Sequence, residues 1–323
     1  MRLTTSLVAC FSLCAVAAHA ASPRVVIVQP VVGNPLASGT TLRNAYAGVT
    51  TATPQYPVLI HLLPGTYDLG AAHLEMDKPS VYLSGSGRGV SIITSSSFVV
   101  LRISADTNVG SLTVENHGGD GISVQGGRVE LKDLRVVSTR DDPNAFASAV
   151  AVLFGATGRM TDVLVEAANP SGNALGIQLL SQDPAQYVMD RATITAAGAA
   201  ARGIDVGSTV LMNEVHVDSS GIGVGVIATG LPPTVTMTNC RIRGATQFGL
   251  IAQSNGISTI TVQNSSITGS LQSISFPDSF SEAALRIASS LISGGVTVNP
   301  PNTLVCVGAY DGAFQPLDGS CQH

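Results

Sequence analysis

The chain of 323 residues has no tryptophan, only 4% aromatic residues and only 11% charged ones. A core without large rings is filled by small and branched aliphatic side chains, and the indole platforms on which many sugar sites are built are excluded. With a formal net charge of −5, the chain carries no positive footprint for nucleic acid or an anionic membrane. No H-x-x-x-H, C-x-x-C, P-loop or G-x-S-x-G pattern occurs, so neither metal-dependent nor nucleophilic hydrolysis is signalled and no cofactor is expected. No apolar run reaches the roughly 20 residues that a transmembrane helix needs.

What is present starts with "MRLTTSLVACFSLCAVAAHA". One arginine, an apolar middle and Ala18-His19-Ala20 have the anatomy of a secretory signal peptide, cleaved after Ala20. The mature chain is therefore expected in the periplasm, at the cell surface or outside the cell, where cysteines tend to pair. Cys306 and Cys321 stand 15 residues apart in a tail rich in glycine and proline and are expected to form a disulfide, worth on the order of 3 kcal/mol in the loop-entropy picture. Cys240 is left over and is read as a small, inert core residue.

The strongest signal is repetition. "TVTMTNCRIRG" at 234–244 returns 25 residues later as "TITVQNSSITG" at 259–269. With Ile242 as a register mark, the frame recurs at Val114, Val136, Val165, Ile194, Val217, Ile242, Ile267 and Ile292, in steps of 22, 29, 29, 23, 25, 25 and 25 residues. A period of this length marks a solenoid. Within each repeat the apolar residues alternate with period two in three short runs, which is the strand signal. Three strands per coil predict an all-β fold, a right-handed parallel β-helix whose coils bury one another's inner faces.

One polar position precedes each register strand: Asp133, Asp162, Arg191, Glu214, Asn239, Asn264 and Ser289. A sharp turn there favours a left-handed backbone, which asparagine tolerates, so Asn239 and Asn264 are expected as rungs of an asparagine ladder. Ahead of the repeats, "SGTTLRNAYAGV" has Leu42, Ala45, Tyr46 and Val49 at helical spacing, with Ser38, Thr40 or Thr41 as cap, and predicts a helix that plugs the first coil. The organisation expected is a leader at 1–20, a strand and capping helix within 21–56, the β-helix over 57–298 and a disulfide-closed cap over 299–323.

"PGTYDL" (Pro64 to Leu69) followed by "VYLSGSGRGVSII" (Val81 to Ile93) resembles the opening coils of the pectin-lyase-like superfamily, in particular bacterial secreted right-handed β-helix repeat proteins. The resemblance implies the fold and carries over no activity. Polysaccharide-cleaving and de-esterifying members carry an N-T-D, D-D, G-H-G and R-I-K set, a D-F-x-F-G segment, or W-x-D-H with R-x-P-x-x-R, and this chain has none of them. "GSGRG" (Gly85 to Gly89) lacks dinucleotide-loop spacing and is read as a coil turn.

Stacking then nominates sites. Side chains flanking each register residue point outward, and the one dense cluster along those columns is His216, Asp218, Arg241 and Arg243. Two arginines suit a uronate or sulfate, and His216 oriented by Asp218 suits a general base; the alternative is an ordinary ladder of opposite charges. A second candidate is the pair of longest excursions, where Asp141 and Asp142 with Glu166 have the chemistry of a Ca²⁺ site, set against ordinary polar turns.

Three functions are consistent with this reading: an exported protein that binds or organises an extracellular polymer, most plausibly polysaccharide, without catalysis; a lyase or esterase using the His216 face; and a passive surface rod.

Overall fold

One coil shows how alternation becomes a fold. In the strand Thr234–Thr238, Val235 and Met237 are buried while the threonines face out. Asn239 turns the chain; Arg241–Gly244 follows with Ile242 inward, and Phe248–Ser254 closes the coil with Leu250 and Ala252 inward. These three legs pair in parallel with the same legs one coil on, Met237 opposite Val262, Ile242 opposite Ile267 and Leu250 opposite Ile274. The computed structural model describes residues 22–143, 146–153, 156–180, 186–228, 232–254, 258–277 and 283–321, and builds a parallel solenoid of about nine turns. The leader expected over residues 1–20 lies outside the described residues.

All eight register residues stack in one buried column, and Tyr67 and Ile93 extend it by two earlier coils. On the first leg Met160, Met189, Met212 and Met237 form four successive rungs. Unbranched thioethers fill the uneven space left where aromatic rings are missing. Tyr67, Tyr187 and Phe276 are fully buried rings, Tyr187 lying beside Gly158 with its hydroxyl donating to the Ala156 carbonyl.

The polar position before each register strand is the corner of the coil. Asp133, Asp162, Arg191, Glu214, Asn239, Asn264 and Ser289 all have φ between 47° and 55°, and Ser111 at 52° adds one more corner. The side chains along this edge form a mixed ladder. Arg88 pairs with Asp133 at 2.8 Å, Arg191 grips Asp162 at 2.8 and 3.1 Å and Asp190 at 2.6 Å, and Asn213 donates to Asp190 at 2.9 Å. The Asn239 amide donates to Asn213 Oδ1 at 3.3 Å, and among the described residues no side-chain hydrogen bond joins Asn239 to Asn264. The segment Gly85–Gly89 is a turn, as read, and it folds over the second leg: Gly89 N donates to Thr113 Oγ1 at 2.9 Å. That cover buries Thr113, which stacking alone places outward.

A glycine column explains much of the composition. At the start of the third leg Gly121, Gly176, Gly203, Gly223 and Gly249 succeed one another, interrupted only by Ala149. A Cβ at any of the five would lie 2.1–2.7 Å from a γ-methyl of Val136, Ile194, Val217, Ile242 or Ile267. The register residue and the glycine opposite it are therefore one packing unit.

The N-terminal cap is a helix, α1 (Pro35–Ala47), which starts earlier than its apolar spacing suggests. Its N-cap is Asn34, whose side chain accepts from Ala37 N at 3.0 Å, with Pro35 at the first helical position. Ser38, Thr40 and Thr41 lie inside the helix instead, donating back to the carbonyls of Asn34, Leu36 and Ala37. Leu42, Tyr46 and Val49 close the first coil. Lys78 binds the far end: Nζ donates to the carbonyls of Tyr46, Ala47 and Val49 at 2.8–3.0 Å and sits 4.9 Å from the Tyr46 ring centre. An ammonium on the exposed carbonyls of a helix C-terminus is favourable for both dipole and hydrogen bonding. Lys78→Met is therefore expected to cost about 1–2 kcal/mol, seen as a lower urea midpoint with unchanged slope.

At the other end the solenoid runs past residue 298. Thr303–Val307 stacks on Ala284–Ala288, and Tyr310–Asp311 on Leu291–Ser293. Pro300 and Pro301 fall between strands, where no ladder N–H is lost. Cys306 thus takes a core position opposite Ile287 and is bonded to Cys321, with Cα atoms 5.5 Å apart. The tail lies over the open edge through Leu317 N to Ala309 O and Cys306 N to Gly319 O, both 2.9 Å.

Candidate functional site

The sequence-nominated face forms in register: His216 lies opposite Arg241 and Asp218 opposite Arg243. Arg243 reaches Asp218 at 3.3 Å, with both side chains more than half exposed. His216 and Arg241 are exposed as well, and the imidazole has no hydrogen-bond partner among the described residues. Asp218 is engaged with Arg243 and does not orient His216, so the arrangement that a general base needs is not assembled. An exposed ion pair of this kind contributes at most about 1 kcal/mol.

Asp141, Asp142 and Glu166 are not brought together. Glu166 binds Arg135 at 2.7 Å, and Arg135 also faces Glu115 at 3.9 Å, a charge ladder across three coils. Asp142 pairs with Arg140 at 3.2 Å, while Asn169 spans the corner from below, donating to the Asp142 carbonyl at 3.0 Å. Among the described residues no three His, Cys, Asp or Glu side chains converge as a metal site. Cys240 is buried, with Sγ near the carbonyls of Thr238 and Met212, and burial pushes its thiol pKa up, which suits the inert role read from the sequence.

A broad concavity lies elsewhere, on the outer face of the first legs near the N-terminal end. Tyr82, Asn108, Glu130, Arg159 and Val188 are successive outward rungs there. Asp106, Arg128, Thr157 and Gln186 edge the same surface two residues earlier, and Pro54, in the segment after α1, lines it too. Together they enclose a groove of ≈ 750 Å³. A second hollow of ≈ 390 Å³ shares Tyr82, Asn108 and Glu130 and extends to Ser84 and Lys132, so the concavity runs along the rungs.

Two of the six described arginines that make no ion pair lie in this groove. Seven arginines of the described chain, Arg88, Arg102, Arg135, Arg140, Arg191, Arg202 and Arg243, are in ion pairs with carboxylates. Arg128 and Arg159 are in none, and both line the groove. Arg159 is held by Nε donating to Thr161 Oγ1 at 3.3 Å, and Arg128 by its backbone N–H on Asp106 Oδ1 at 2.8 Å. Two guanidiniums without ion-pair partners, beside the carboxylates of Asp106 and Glu130 and the Tyr82 phenol ring, suit a ligand bearing both acid groups and hydroxyls.

Several solved structures share this architecture. Pectate lyase Pel9A superposes with a TM-score of 0.62 at 15% identity, covering 88% of this chain and 80% of that one. The A-module of the Azotobacter vinelandii mannuronan C-5 epimerase AlgE4 gives 0.56 at 14% identity, covering 85% and 74%. A tailspike protein of Escherichia coli O157:H7 bacteriophage CAB120 gives 0.51 at 11%, covering 90% of this chain and 46% of that one. The chain has the right-handed parallel β-helix fold that these structures share. No protein-family profile matches the chain, and neither does any curated sequence. At such identities the likeness speaks for the β-helix fold alone.

The groove escapes the columns read from the sequence because those columns followed only the register leg. The same alternation around Leu131 and Met160 displays Glu130, Lys132 and Arg159. Arg241→Ala with Arg243→Ala is accordingly expected to leave polysaccharide binding within about twofold of the parent and to shift stability by no more than about 1 kcal/mol, read by affinity electrophoresis and urea titration.

Proposed function

We propose that this chain is an exported β-helix protein that holds an acidic polysaccharide in the groove of Tyr82, Arg128, Glu130 and Arg159, without catalysis. The observation that carries the proposal is the placement of Arg128 and Arg159, two guanidiniums free of carboxylate partners, along one concavity of a chain that is acidic overall. A uronate carboxylate accepts two parallel N–H bonds from such a group. The Tyr82 ring offers an apolar face to a sugar, and Asn108 and Glu130 offer hydrogen bonds to hydroxyls. Two β-helix proteins of similar fold are named for pectate and mannuronan, which agrees with an acidic polymer. The leader read at residues 1–20 and the Cys306–Cys321 disulfide support export to an oxidising compartment, and no described helix is long and apolar enough to cross a membrane.

Affinity electrophoresis in gels containing polygalacturonate, alginate or neutral dextran tests the proposal. Retardation by an acidic polymer and not by dextran is the expected result; equal mobility in all gels would leave a passive rod. Ultraviolet absorbance rising from unsaturated uronides during incubation with polygalacturonate would replace binding with a lyase activity.

A further inference from the structure

The third face of the coil carries a charged pair, Arg202 and Asp205, well along the rod from the Glu75 and Arg102 pair that begins the same sheet. One outward column runs Ala151, Gln178, Asp205, Gly225 and Ile251, and its neighbour runs Ser148, Leu175, Arg202 and Ile222. Asp205 is only 5% exposed. Its carboxylate meets Arg202 Nη1 at 3.3 and 3.4 Å, the long end of hydrogen bonding, and has no other hydrogen-bond partner among the described residues. A carboxylate with room for about four donors is thus served by one. Burial pushes the pKa of this carboxyl up, with Arg202 pulling it back.

An ion pair in this setting costs more desolvation than an apolar residue of equal size, so stability alone does not account for it. The next coil makes room for it: a Cβ at position 225 would stand 2.6 Å from Asp205 Oδ1, and the residue there is glycine. A hollow of ≈ 290 Å³ opens beside the pair, lined by Asn173, Leu175, Gln178, Ala200, Arg202 and Asp205. That volume is near the lower end of small-molecule sites, about 300 Å³.

We propose that this hollow binds a neutral, hydroxyl-rich ring, one sugar unit, through Asp205, Arg202 and Gln178. An acid group entering here meets the Asp205 carboxylate, and a cation meets Arg202. Hydroxyl groups satisfy both, donating to Asp205 and accepting from Arg202 and the amides of Gln178 and Asn173, while Leu175 and Ala200 face the C–H side of a ring. The site lies on a different leg of the coil from the acidic-polymer groove and does not depend on it.

The test is a ¹⁵N NMR titration that follows the Gln178 side-chain amide and the Arg202 Nε–H. The probes are the methyl glycosides of glucose, mannose and galactose, with sodium galacturonate as the charged counterpart. At least one neutral glycoside should shift both signals saturably while galacturonate does not. Gln178→Ala and Asp205→Asn should each weaken that binding by about tenfold or more, and Arg128→Ala with Arg159→Ala should leave it unchanged. Gln178→Ala removes an amide without touching the buried pair, so it keeps the test sound if Asp205→Asn fails to fold. No response to any neutral glycoside, an equal response to galacturonate, or binding that survives Gln178→Ala intact would overturn the proposal.

Discussion

Gly223→Val is expected to destabilise the β-helix by about 3 kcal/mol or more. A Cβ at this position would sit 2.6 Å from the Gly249 carbonyl oxygen and 2.7 Å from Ile242 Cγ2, and 3.2 Å from the Arg243 carbonyl carbon. None of these three is the free end of a flexible side chain. Relief requires the third leg to move away from the second, which opens the interface between two coils. Because each coil is stabilised by its neighbours, the damage should spread along the rod. Gly295→Ala is the control, since the nearest atom to its Cβ is Gln272 Cγ at 3.7 Å. Urea unfolding should show a large loss for the first and a change within about 0.5 kcal/mol for the second. Equal stability of Gly223→Val and the parent would show that the column is not close-packed.

Replacing Arg128 and Arg159 together by alanine is expected to weaken binding of acidic polysaccharide by about 100-fold or more, with the fold unchanged. Each guanidinium on a uronate makes charge-assisted hydrogen bonds worth about 1.5–3 kcal/mol, and a tenfold change in affinity corresponds to about 1.4 kcal/mol. Neither arginine is in a salt bridge, so their loss leaves no carboxylate stranded. Parent binding should weaken as salt is added, because both groups are exposed and their attraction is screened over about 10 Å at 0.1 M ionic strength. Lys in place of Arg at both positions should restore part of the affinity, since charge returns but the planar fork does not.

Much of the β-helix is legible in the chain because its rules are local and repeated. Period-two alternation around Ile242 fixes which side chains are buried, and the polar corner residue before it fixes where the backbone turns. The register of Val114 to Ile292 follows from these two features. What the sequence conceals depends on segments that break the repeat. The start of α1 is set by Asn34 and Pro35, ahead of the apolar spacing. Thr113 is buried because Gly85–Gly89 crosses it, which no column predicts. Ion pairing is a further blind spot: Glu166 looks like a metal ligand until Arg135, diagonally across on the neighbouring coil, pairs with it. The groove requires all of these at once. Its rungs are readable from alternation on the first leg, but its depth depends on where residues around Pro54 pass, and its character depends on which arginines lack partners.

The most direct test is a calorimetric titration of polygalacturonate into three proteins at low ionic strength: the parent, Arg128→Ala with Arg159→Ala, and Arg241→Ala with Arg243→Ala. Binding by the parent and by the Arg241 and Arg243 variant, with loss confined to the Arg128 and Arg159 variant, is the predicted result. Loss on replacing Arg241 and Arg243, or affinity untouched by removing Arg128 and Arg159, would contradict a polysaccharide site in the groove.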